Sequence, residues 1–458
     1  MNINNQSEIN ITDKYISVIG LGKSGMGSAK LANHLGARVF ASDSSQSLNI
    51  NQNALELMEK EHIATETGIQ SDRIYDADLW IISPGIPKNS DIILKAQSKK
   101  IPIVSELEFA SWFTKKPIIS VTGSNGKTTT CFILYEIFKS KYKNSVLAGN
   151  IGTPFSEYVL EEVLKPMQDR VYILEVSSFQ LEFIKHFKPN LAVYTNISPD
   201  HLDRHLNMNE YISMKMEMIK NLDEFNYVIY NSDDEVLSEK FEKSTLPSVP
   251  FSLNNSKSLF SIKNDKIYNK SNENLIDLKE SSLKGFHNYL NILAAATSSK
   301  VYGIADKNIK KAIYSMKSIE HRQEIVQKRD EVEYINDSKS TNIESVIVAI
   351  KTFKKPIILL LGGFNKGSDF QLLLPHIKKS SLKHIICYGE SGEQIITALG
   401  DAVRSFLEEG LHSAVIKAQK LAIPGDIVLL SPGCASYDEF ENFEKRGEFF
   451  KKIVNKIS

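Results

Sequence analysis

The segment Ile118–Thr130 constrains the fold of this chain more than any other part of it. An apolar run typical of a buried strand leads into a turn with glycines at positions 123 and 126, and Lys127 and three threonines then open a helical pattern. At such a strand-to-helix turn the backbone N–H groups converge on one point, the lysine adds positive charge and the hydroxyl of Thr128 can face a metal ion. The segment therefore predicts a phosphate-binding loop for ATP or GTP accompanied by Mg²⁺.

This loop is shorter than the strict P-loop pattern, which requires a glycine five residues before the Gly-Lys pair. The chain has Val121 at that position, and its first glycine is Gly123. A strand-turn-helix junction without any ligand therefore stays open as an alternative for this segment alone.

A second glycine motif lies near the N-terminus. The predicted strand Tyr15–Ile19 leads into Gly20–Gly25, which matches G-x-G-x-x-G, and Asp43 closes the next predicted strand, Arg38–Ser42. The pattern predicts backbone amides that bind a diphosphate at a helix start, with Asp43 accepting hydrogen bonds from a sugar or base. An NAD-dependent dehydrogenase, a UDP-sugar site and a glycine turn without a ligand all remain possible here.

The order of apolar runs and helical patterns predicts the α/β class, with mostly parallel sheets built from βαβ units. A length of 458 residues suggests three domains, which we place at 1–104, 105–318 and 319–458. The first and last are expected to be Rossmann-like and the central one a P-loop-type ATPase. A further predicted strand, Leu79–Ile82, runs into a rigid turn that contains Gly85, where ligands of such sheets usually lie.

Charge and cysteine usage limit the partners and the compartment. Lys plus Arg and Asp plus Glu each number 55, so no basic field indicates a nucleic-acid or membrane partner. The three cysteines are far apart and form no CxxC pair, and the N-terminus lacks an apolar signal region. These features favour a reduced, soluble, cytoplasmic protein.

Three junctions of the central domain carry polar residues at predicted strand ends. Asn150 lies in a glycine turn, and Glu175 follows the predicted strand Val171–Leu174, where a carboxylate either binds the metal of a phosphate loop or only ends a strand. His201 follows the predicted strand Leu191–Ile197 and is interpreted as a ligand or polarising group beside the phosphates. A transition-metal site with its neighbours at 203 and 205 is disfavoured, since the spacing is not helical and no cysteine accompanies it.

Two helical patterns add further candidates. Between Asn209 and Leu222, Lys215 lies within an apolar stripe, so it either snorkels to water or is buried with a lowered pKa and a reactive amine. Asn288 and Asn291 stand in the first turn of a later helix, where they either cap it or hydrogen-bond a nucleotide base. The polar stretch 254–282 between them is predicted to be a surface hairpin or insertion.

The C-terminal third contains a polar turn at 336–342, a third glycine turn at 362–366 and a long polar segment after the predicted strand Ile427–Leu430. The polar turn predicts anion binding or a capped helix start. Cys434 is interpreted as a small packed residue rather than a nucleophile, because no histidine stands near it in the sequence.

Taken together, the motifs resemble the Mur ligases of peptidoglycan synthesis over nearly the whole chain. The matching motifs, in order, are VTGSNGKTT at 121–129, GNIGTP at 149–154, LEVSSFQLE at 174–182, DHLDRH at 200–205, HNYLN at 287–291, His321–Arg322, NDSKSTN at 336–342 and LGG at 361–363. The final segment, with SPGCASYDEF at 431–440 and NFEKRG at 442–447, is similar to the branch of the family that adds D-glutamate.

The resemblance implies an ATP-dependent ligase that joins D-glutamate to UDP-N-acetylmuramoyl-L-alanine through an acyl phosphate and releases ADP and phosphate. It implies two Mg²⁺ ions and a CO₂-derived carbamate on Lys215. The implied catalytic residues are Lys127, Glu175, His201, Lys215 and Arg322, and the implied metal ligands are Thr128, Glu175, His201 and Lys215. Sites on three domains must then meet, so hinge closure on ATP binding is expected.

The same resemblance assigns the substrate contacts. For ATP these are Gly123, Ser124, Asn125, Gly126, Lys127, Thr128, Thr129, Asn288, Asn291, Arg322, Asp337 and Lys339. For the UDP-substrate they are Gly22, Lys23, Ser24, Asp43, Ser44, Gly85, Asn150, Ser177, Gln180 and His201. For D-glutamate they are Thr341, Lys366, Ser436, Tyr437 and Phe443.

Three departures from the family pattern concern the uridine and glutamate contacts. Ser45 replaces an arginine, Tyr437 replaces a leucine, and Phe364–Asn365 change the third glycine turn. The alternatives to this function are a sister ligase that adds L-alanine to UDP-N-acetylmuramate, an NAD-dependent dehydrogenase and a non-catalytic nucleotide sensor. No nucleic-acid or membrane partner is expected, and the protein is expected to be a monomer.

Overall fold

The computed structural model describes residues 1, 3, 6, 9–200, 204–254, 258–281, 283, 285–316 and 320–456. Its four sheets are three large, mostly parallel ones and a small antiparallel one, so the predicted α/β class is confirmed. The chain divides into two compact units: the first comprises 1–199, 204–277 and 290–314, and the second comprises 200–203, 278–289 and 315–458. The predicted boundary after residue 104 lies inside the first unit, and the three-domain boundaries stay a prediction.

A five-stranded parallel sheet in the order β3-β2-β1-β4-β5 opens the first unit. Its strands are β1 Tyr15–Ile19, β2 Arg38–Asp43, β3 Ala64–Thr67, β4 Leu79–Ile82 and β5 Ile103–Ser105, and its helices are α1 Lys23–His34, α2 Leu48–Glu61, α3 Asp91–Ser98 and α4 Glu106–Ser111. Strand β1 agrees with its predicted bounds, and its last four residues are buried because helices cover both faces of a parallel sheet.

A six-stranded parallel sheet in the order β11-β10-β9-β6-β8-β7 follows in the same unit. Its strands are β6 Ile118–Thr122, β7 Val146–Gly149, β8 Tyr172–Glu175, β9 Leu191–Tyr194, β10 Tyr227–Asn231 and β11 Ser248–Phe251, and its helices are α5 Lys127–Lys139, α6 Phe155–Leu164, α7 Met208–Met216 and α8 Glu235–Glu242. Because β6 lies between β8 and β9, the loops after these three strands meet at one edge of the sheet.

The helix α4 fixes the first sheet to the second within this unit. Glu108 is fully buried, and its carboxylate accepts hydrogen bonds from the backbone N–H groups of Lys185, His186 and Phe187 at 2.8–2.9 Å and from the indole of Trp112 at 2.7 Å. Glu106, also buried, accepts from the N–H of residue 156 at the start of α6 at 2.6 Å. One hydrophobic cluster runs continuously from β1 to β8.

The polar stretch 254–282 forms a three-stranded antiparallel sheet among its described residues, rather than a single hairpin. The strands are β12 Phe260–Lys263, β13 Lys266–Asn269 and β14 Asn274–Asp277 in the order β12-β13-β14, followed by α9 Phe286–Val301 and α10 Asp306–Ser315. The sequence did not reveal this sheet because each strand is only four residues long and buries only one or two of them, such as Phe260, Ile267 and Ile276.

The second unit is built on a six-stranded sheet in the order β15-β16-β20-β17-β18-β19, in which only the edge strand β15 is antiparallel. Its elements are β15 Glu324–Arg329, β16 Val332–Asn336, α11 Ile343–Thr352, β17 Ile357–Gly362, α12 Leu374–Ile377, β18 Leu382–Tyr388, α13 Gly392–Leu399, β19 Ser405–Glu408, α14 Leu411–Leu421, β20 Ile427–Gly433 and α15 Phe443–Lys456. Two hydrophobic clusters cover its two faces.

Two predicted elements were too long. The strand predicted to end at residue 197 ends at Tyr194, because Thr195 turns away and donates its hydroxyl hydrogen bond to the carbonyl of Asn125 at 2.6 Å. The helix predicted over 209–222 covers 208–216 and then tightens into a 3-10 turn over Glu217–Ile219. Within the part of the chain that the structure describes, no helix has the length and apolar character needed to cross a bilayer.

Candidate active site

The loop between β6 and α5 requires glycine at both of its predicted glycine positions. Gly123 has φ +145° and Gly126 has φ +84°, a region that side chains rarely adopt. A Cβ at Gly123 would lie 2.0 Å from Oγ1 of Thr195, and one at Gly126 would lie 2.4 Å from Oδ1 of Asn291. The loop therefore has the strained glycine turn at a helix start that phosphate binding uses.

The chain after β9 holds this loop in place. The backbone N–H groups of Ser124 and Asn125 donate to the carbonyl and the side-chain oxygen of Asn196, both at 2.9 Å. The hydroxyl of Ser124 donates to the carbonyl of Ser198 at 2.8 Å. The sequence prediction assigned residues 195–197 to a strand and residue 198 to the segment after it, and it missed this supporting role.

Lys127 points back onto its own loop. Its Nζ donates to the carbonyl oxygens of Gly123 and Ser124, each at 2.7 Å. These neutral acceptors leave the ammonium charge beside the N-terminus of α5, where the helix dipole also favours an anion. The predicted phosphate-binding residues at 123–129 are thus together in one loop and helix turn.

Glu175 and Thr128 meet beside the loop. The hydroxyl of Thr128 donates to Oε2 of Glu175 at 2.6 Å, and the side-chain amide of Asn150 donates to Oε1 at 2.9 Å. Both Thr128 and Glu175 are buried, at 3% and 2% exposure. A buried carboxylate and a hydroxyl next to a phosphate loop are the oxygen ligands that Mg²⁺ prefers, so these residues fit the predicted metal.

The region around residue 205 does not resemble a transition-metal site. Nε2 of His205 is 2.9 Å from the hydroxyl of Ser178, and its ring is stacked on Phe179. Among the described residues no group of three or more His, Cys, Asp or Glu side chains could hold a metal ion. His201, predicted to be catalytic, to bind metal and to contact the UDP-substrate, lies outside the described residues.

Lys215 is buried against the same loop. Its side chain has 1% exposure, its Nζ donates to the carbonyl of Gly123 at 2.9 Å and lies 4.5 Å from the ring centre of Tyr211. The alternative in which Lys215 snorkels to water is therefore wrong. Because Gly123 also accepts from Lys127, two lysines converge on one loop carbonyl.

The N-terminal glycine turn has the geometry of a helix-start anion site. Gly22 precedes α1 and is exposed, Lys23 and Ser24 open the helix, and a Cβ on Gly22 would meet nothing within 4 Å. Asp43 accepts from the N–H groups of Leu21 at 2.7 Å and Ser45 at 2.8 Å. Its carboxylate therefore fixes the turn, with Ser44 exposed beside it.

Two more turns of the first unit carry predicted UDP-substrate contacts. Gly85 lies in the turn after β4 with open space around its Cα. After β8, the side-chain oxygen of Gln180 accepts from both the N–H and the hydroxyl of Ser177, at 3.0 and 3.1 Å.

Asn291 and Asn288, the predicted base contacts, lie in the described part of α9. Oδ1 of Asn291 accepts from the hydroxyl of Thr130 at 3.3 Å, which places this amide against the phosphate loop. Asn288 is buried in the first turn of the helix and belongs by its contacts to the second unit.

The second unit gathers the remaining predicted ATP contacts in one turn. Asp337 accepts hydrogen bonds from the hydroxyls of Ser340 and Ser431 and from the N–H of Gln323. Burial raises the pKa of Asp337 to about 6, and the hydrogen bonds and the charge of Arg322 partly offset that effect. Nζ of Lys339 lies 4.9 Å from the ring centre of Phe443, a predicted glutamate contact.

The third glycine turn meets the predicted glutamate contacts of the same unit. Residues 364 and 435 exchange two backbone hydrogen bonds, at 2.9 and 3.0 Å. This pairing brings Lys366 within 5.1 Å of the ring centre of Tyr437, while Ser436 is buried beside it. Thr341 follows Ser340 in the neighbouring turn. The departures at positions 364 and 437 are thus in contact with each other, as their rings lie 6.5 Å apart.

Arg446 supports these turns and was not predicted. It is 1% exposed and donates five hydrogen bonds of 2.8–3.1 Å to the hydroxyl and carbonyl of Ser338 and to the carbonyls of Cys434 and Ala435. It therefore joins the turn before Lys339 to the turn before Ser436. Cys434 is a packed thiol, and burial raises its pKa to about 11.

Comparisons with known proteins bear on all three parts of the chain. Family descriptions match at residues 14–105 (Mur ligase MurD-like, N-terminal domain), 121–299 (Mur ligase middle domain) and 321–434 (Mur ligase, glutamate ligase domain). Two similar sequences are named UDP-N-acetylmuramoylalanine--D-glutamate ligase. The one from Christiangramia forsetii is 39% identical and the one from Bacteroides thetaiotaomicron 38%, each over 97% of this chain and 100% of the relative.

The fold is also found in solved structures. A UDP-N-acetylmuramate-alanine ligase from Thermotoga maritima superposes with a TM-score of 0.63 at 19% identity, covering 97% of this chain and 100% of that one. A pseudomurein peptide ligase from Methanothermus fervidus gives 0.61 at 19% identity, with the same coverage. At this identity the superpositions establish the fold and nothing finer.

Proposed function

The chain belongs to the Mur ligase family, and from this premise we propose that it joins D-glutamate to UDP-N-acetylmuramoyl-L-alanine with hydrolysis of ATP to ADP and phosphate. Near-complete coverage by relatives that carry this name supports the choice of substrates. The observation that carries the proposal is the buried pair of Thr128 and Glu175 at 2.6 Å beside a loop whose amides and Lys127 suit phosphates.

The chemistry explains why this loop is built as it is. The alanine carboxylate of the UDP-substrate attacks the γ-phosphorus of ATP, giving an acyl phosphate and ADP. The amine of D-glutamate then attacks the acyl carbon, and phosphate leaves as the amide forms. Lys127 and the backbone amides at the start of α5 stabilise the charge that develops on the transferring group, which is the main contribution proteins make to this step.

Thr128 and Glu175 would hold one Mg²⁺, which supplies positive charge to the phosphates when it is bound. Asn150 orients Glu175 through its amide, so it also supports the metal ligand. Residues 201 and 215 would serve a second ion.

We propose further that Lys215 acts as its carbamate. The ammonium first releases one proton, and the neutral amine then attacks the carbon of CO₂ and loses a second proton to solvent. An N–C bond forms while one C=O electron pair moves onto oxygen, so the side chain changes overall from a cation to an anion. Burial supports this, because a desolvated ammonium is disfavoured relative to the neutral amine. An anion at this position attracts a metal ion, whereas an ammonium would repel it.

The residues gathered in the second unit complete the proposal. Arg322, Asp337 and Lys339 are assigned to ATP together with Asn288 and Asn291, and Lys366, Thr341, Ser436, Tyr437 and Phe443 to D-glutamate. Reaction requires that these residues reach the phosphate loop, so hinge closure stays part of the proposal. The three-domain division at 104 and 318, a monomeric state and a cytoplasmic location are proposed with it.

Phosphate release tests this function. The protein is incubated with ATP, Mg²⁺, UDP-N-acetylmuramoyl-L-alanine and either D-glutamate, L-glutamate or L-alanine, and phosphate is measured together with the amide product. We expect turnover with D-glutamate alone. Turnover of UDP-N-acetylmuramate with L-alanine instead would identify a sister ligase, and NAD-dependent oxidation without ATP would identify a dehydrogenase.

A further inference from the structure

The guanidinium of Arg204 joins two turns of the first unit that carry different parts of the proposed UDP-substrate site. On one side it donates to three successive carbonyls: Nη1 to Gly85 at 3.1 Å, and Nη2 to Ile86 at 2.8 Å and to Pro84 at 3.4 Å. On the other side Nη2 donates to the carboxylate of Glu182 at 3.2 Å.

This arrangement depends on arginine rather than on positive charge alone. A guanidinium is planar and carries five donors in a fixed geometry, whereas the ammonium of a lysine is a compact point charge with three donors. Three consecutive carbonyls can face one group only when the turn curls around it. Arg204 therefore fixes the shape of the turn at 84–86 as well as its position.

The turn at 83–86 also contacts the glycine turn at 20–25, which is proposed to bind the diphosphate. The hydroxyl of Ser83 donates to the carbonyl of Gly20 at 3.1 Å, and a Cβ on Gly20 would lie 2.6 Å from that hydroxyl oxygen. No side chain fits at Gly20 between the two turns, so the glycine turn packs directly against Ser83.

The second turn carries the proposed contacts Ser177 and Gln180. Arg204 lies over the ring of Phe179, 5.0 Å from its centre, and Glu182 is buried at 3% side-chain exposure. Burial raises the pKa of Glu182 above its ordinary value, while the charge and hydrogen bond of Arg204 lower it. The side chain of Arg204 is 17% exposed, so this contact is largely removed from water.

We propose that Arg204 is a positioning residue for the UDP-substrate: it sets the distance between the turn at 83–86 and the turn at 177–182. A substrate that spans both turns then presents its carboxylate at a fixed place relative to the phosphate loop. The inference rests on the proposed function and adds a residue whose contacts in the described part of the chain are with these two turns rather than with the phosphate loop. Its effect should therefore be specific to one of the three substrates.

The test compares Arg204→Lys with wild type for all three substrates. We expect the KM for UDP-N-acetylmuramoyl-L-alanine to rise at least about tenfold and kcat to fall, while the KM values for ATP and D-glutamate change less than about twofold. A purely structural role would instead lower the thermal unfolding midpoint and affect all three KM values together.

Two further variants keep the test decisive. Glu182→Gln retains the side-chain shape but replaces the charged acceptor of Arg204 with a neutral one. It should therefore raise the KM for the UDP-substrate alone, by less than Arg204→Lys does. Lys95→Met is the matched control, because Lys95 pairs with Asp72 at 2.6 Å in the same unit, is 47% exposed and lies outside both turns. It should leave all KM values unchanged.

The outcomes separate this inference from the proposed function. If wild type turns over the UDP-substrate and Arg204→Lys has a normal KM for it, the positioning role is wrong and the function stands. Equal losses for all three substrates would also overturn the positioning role. If wild type neither turns over the UDP-substrate nor binds UDP in calorimetry, the proposed function fails, and this inference fails with it.

Discussion

The hydroxyl of Thr128 donates a 2.6 Å hydrogen bond to the carboxylate of Glu175, although 47 residues separate them in the chain. The pair forms because β6 and β8 are parallel neighbours whose carboxyl ends lie side by side. A glycine loop followed by a lysine is common, whereas a buried carboxylate delivered to it by the adjacent strand is the additional feature that the proposed metal-assisted nucleotide site requires.

Glu175→Gln should lower kcat at least about a hundredfold with little loss of stability, since it removes one charged metal ligand but keeps the shape of the side chain. Phosphate release over a range of Mg²⁺ concentrations measures the effect, and the variant should need more Mg²⁺ for its residual activity. Glu239→Gln, on the exposed side of α8, is the control and should behave like wild type. An unchanged Mg²⁺ dependence in Glu175→Gln would contradict the assignment.

Lys215→Ala should lose most activity while keeping the fold, and Lys215→Met should do the same with the side-chain volume preserved. The reason is that both variants remove the amine that accepts CO₂. Carbon-13 NMR with labelled bicarbonate should show a carbamate resonance in wild type that is absent from both variants. Lys220→Met, one turn further along and 35% exposed, is the control. Full activity in Lys215→Ala would remove the carbamate from the mechanism.

Asp337 should make the stability of the second unit depend on pH. Its pKa is about 6 in the folded chain and about 3.9 in an unfolded one, so between these values the folded state holds a proton that the unfolded state releases. Stability therefore falls as pH rises from about 4 to 6 and stays lower above 6, by an amount on the order of 1–3 kcal/mol.

Asp337→Asn tests this dependence. The neutral amide should make the protein more stable than wild type above pH 6, and the difference should vanish near pH 4, as measured by urea unfolding. Activity should fall at the same time, because the proposed contact with ATP loses its charge. Parallel pH profiles of the variant and wild type would rule out Asp337 as the titrating group.

Arg446→Lys should destabilise the second unit by about 2–4 kcal/mol, since several buried carbonyls lose their donors at once. The KM for D-glutamate should rise, because residues 436 and 437 directly follow the carbonyls that Arg446 holds. Lys445→Gln changes the adjacent exposed residue, whose ion pair with Glu448 should contribute less than about 1 kcal/mol. A stable Arg446→Lys variant with an unchanged KM for D-glutamate would show that the two turns keep their conformation without the guanidinium of Arg446.

The sequence predicted the features that depend on local spacing. The three large sheets and the glycine loop before α5 follow from periodicity along one segment, and the apolar stripe around Lys215 made its burial one of two alternatives. The strand after residue 191 was predicted too long because Thr195 and Ile197 are β-branched residues suited to a strand, whereas the strand ends at Tyr194 and the next residues hydrogen-bond the loop.

The supporting residues could not be predicted in this way. Arg446 hydrogen-bonds Ser338 across 108 positions, and Arg204 reaches the carbonyl of Gly85 across 119. Backbone carbonyls are present at every residue and leave no sequence signal, so nothing marks the acceptors of a buried guanidinium. The family resemblance indicated the residues that are proposed to contact substrates, and the structure shows the side chains that hold several of them in place.

The buried carboxylates of Glu106 and Glu108 determine where this chain can be cut. A fragment that starts at residue 121, where the match to the middle domain begins, would leave the N–H groups of residues 185–187 and the start of α6 without their acceptors. A fragment that starts at residue 105 would keep them. A fragment that contains the proposed ATP-binding region should therefore fold only when it includes the short helix α4. That helix would then be part of the nucleotide-binding module rather than a linker.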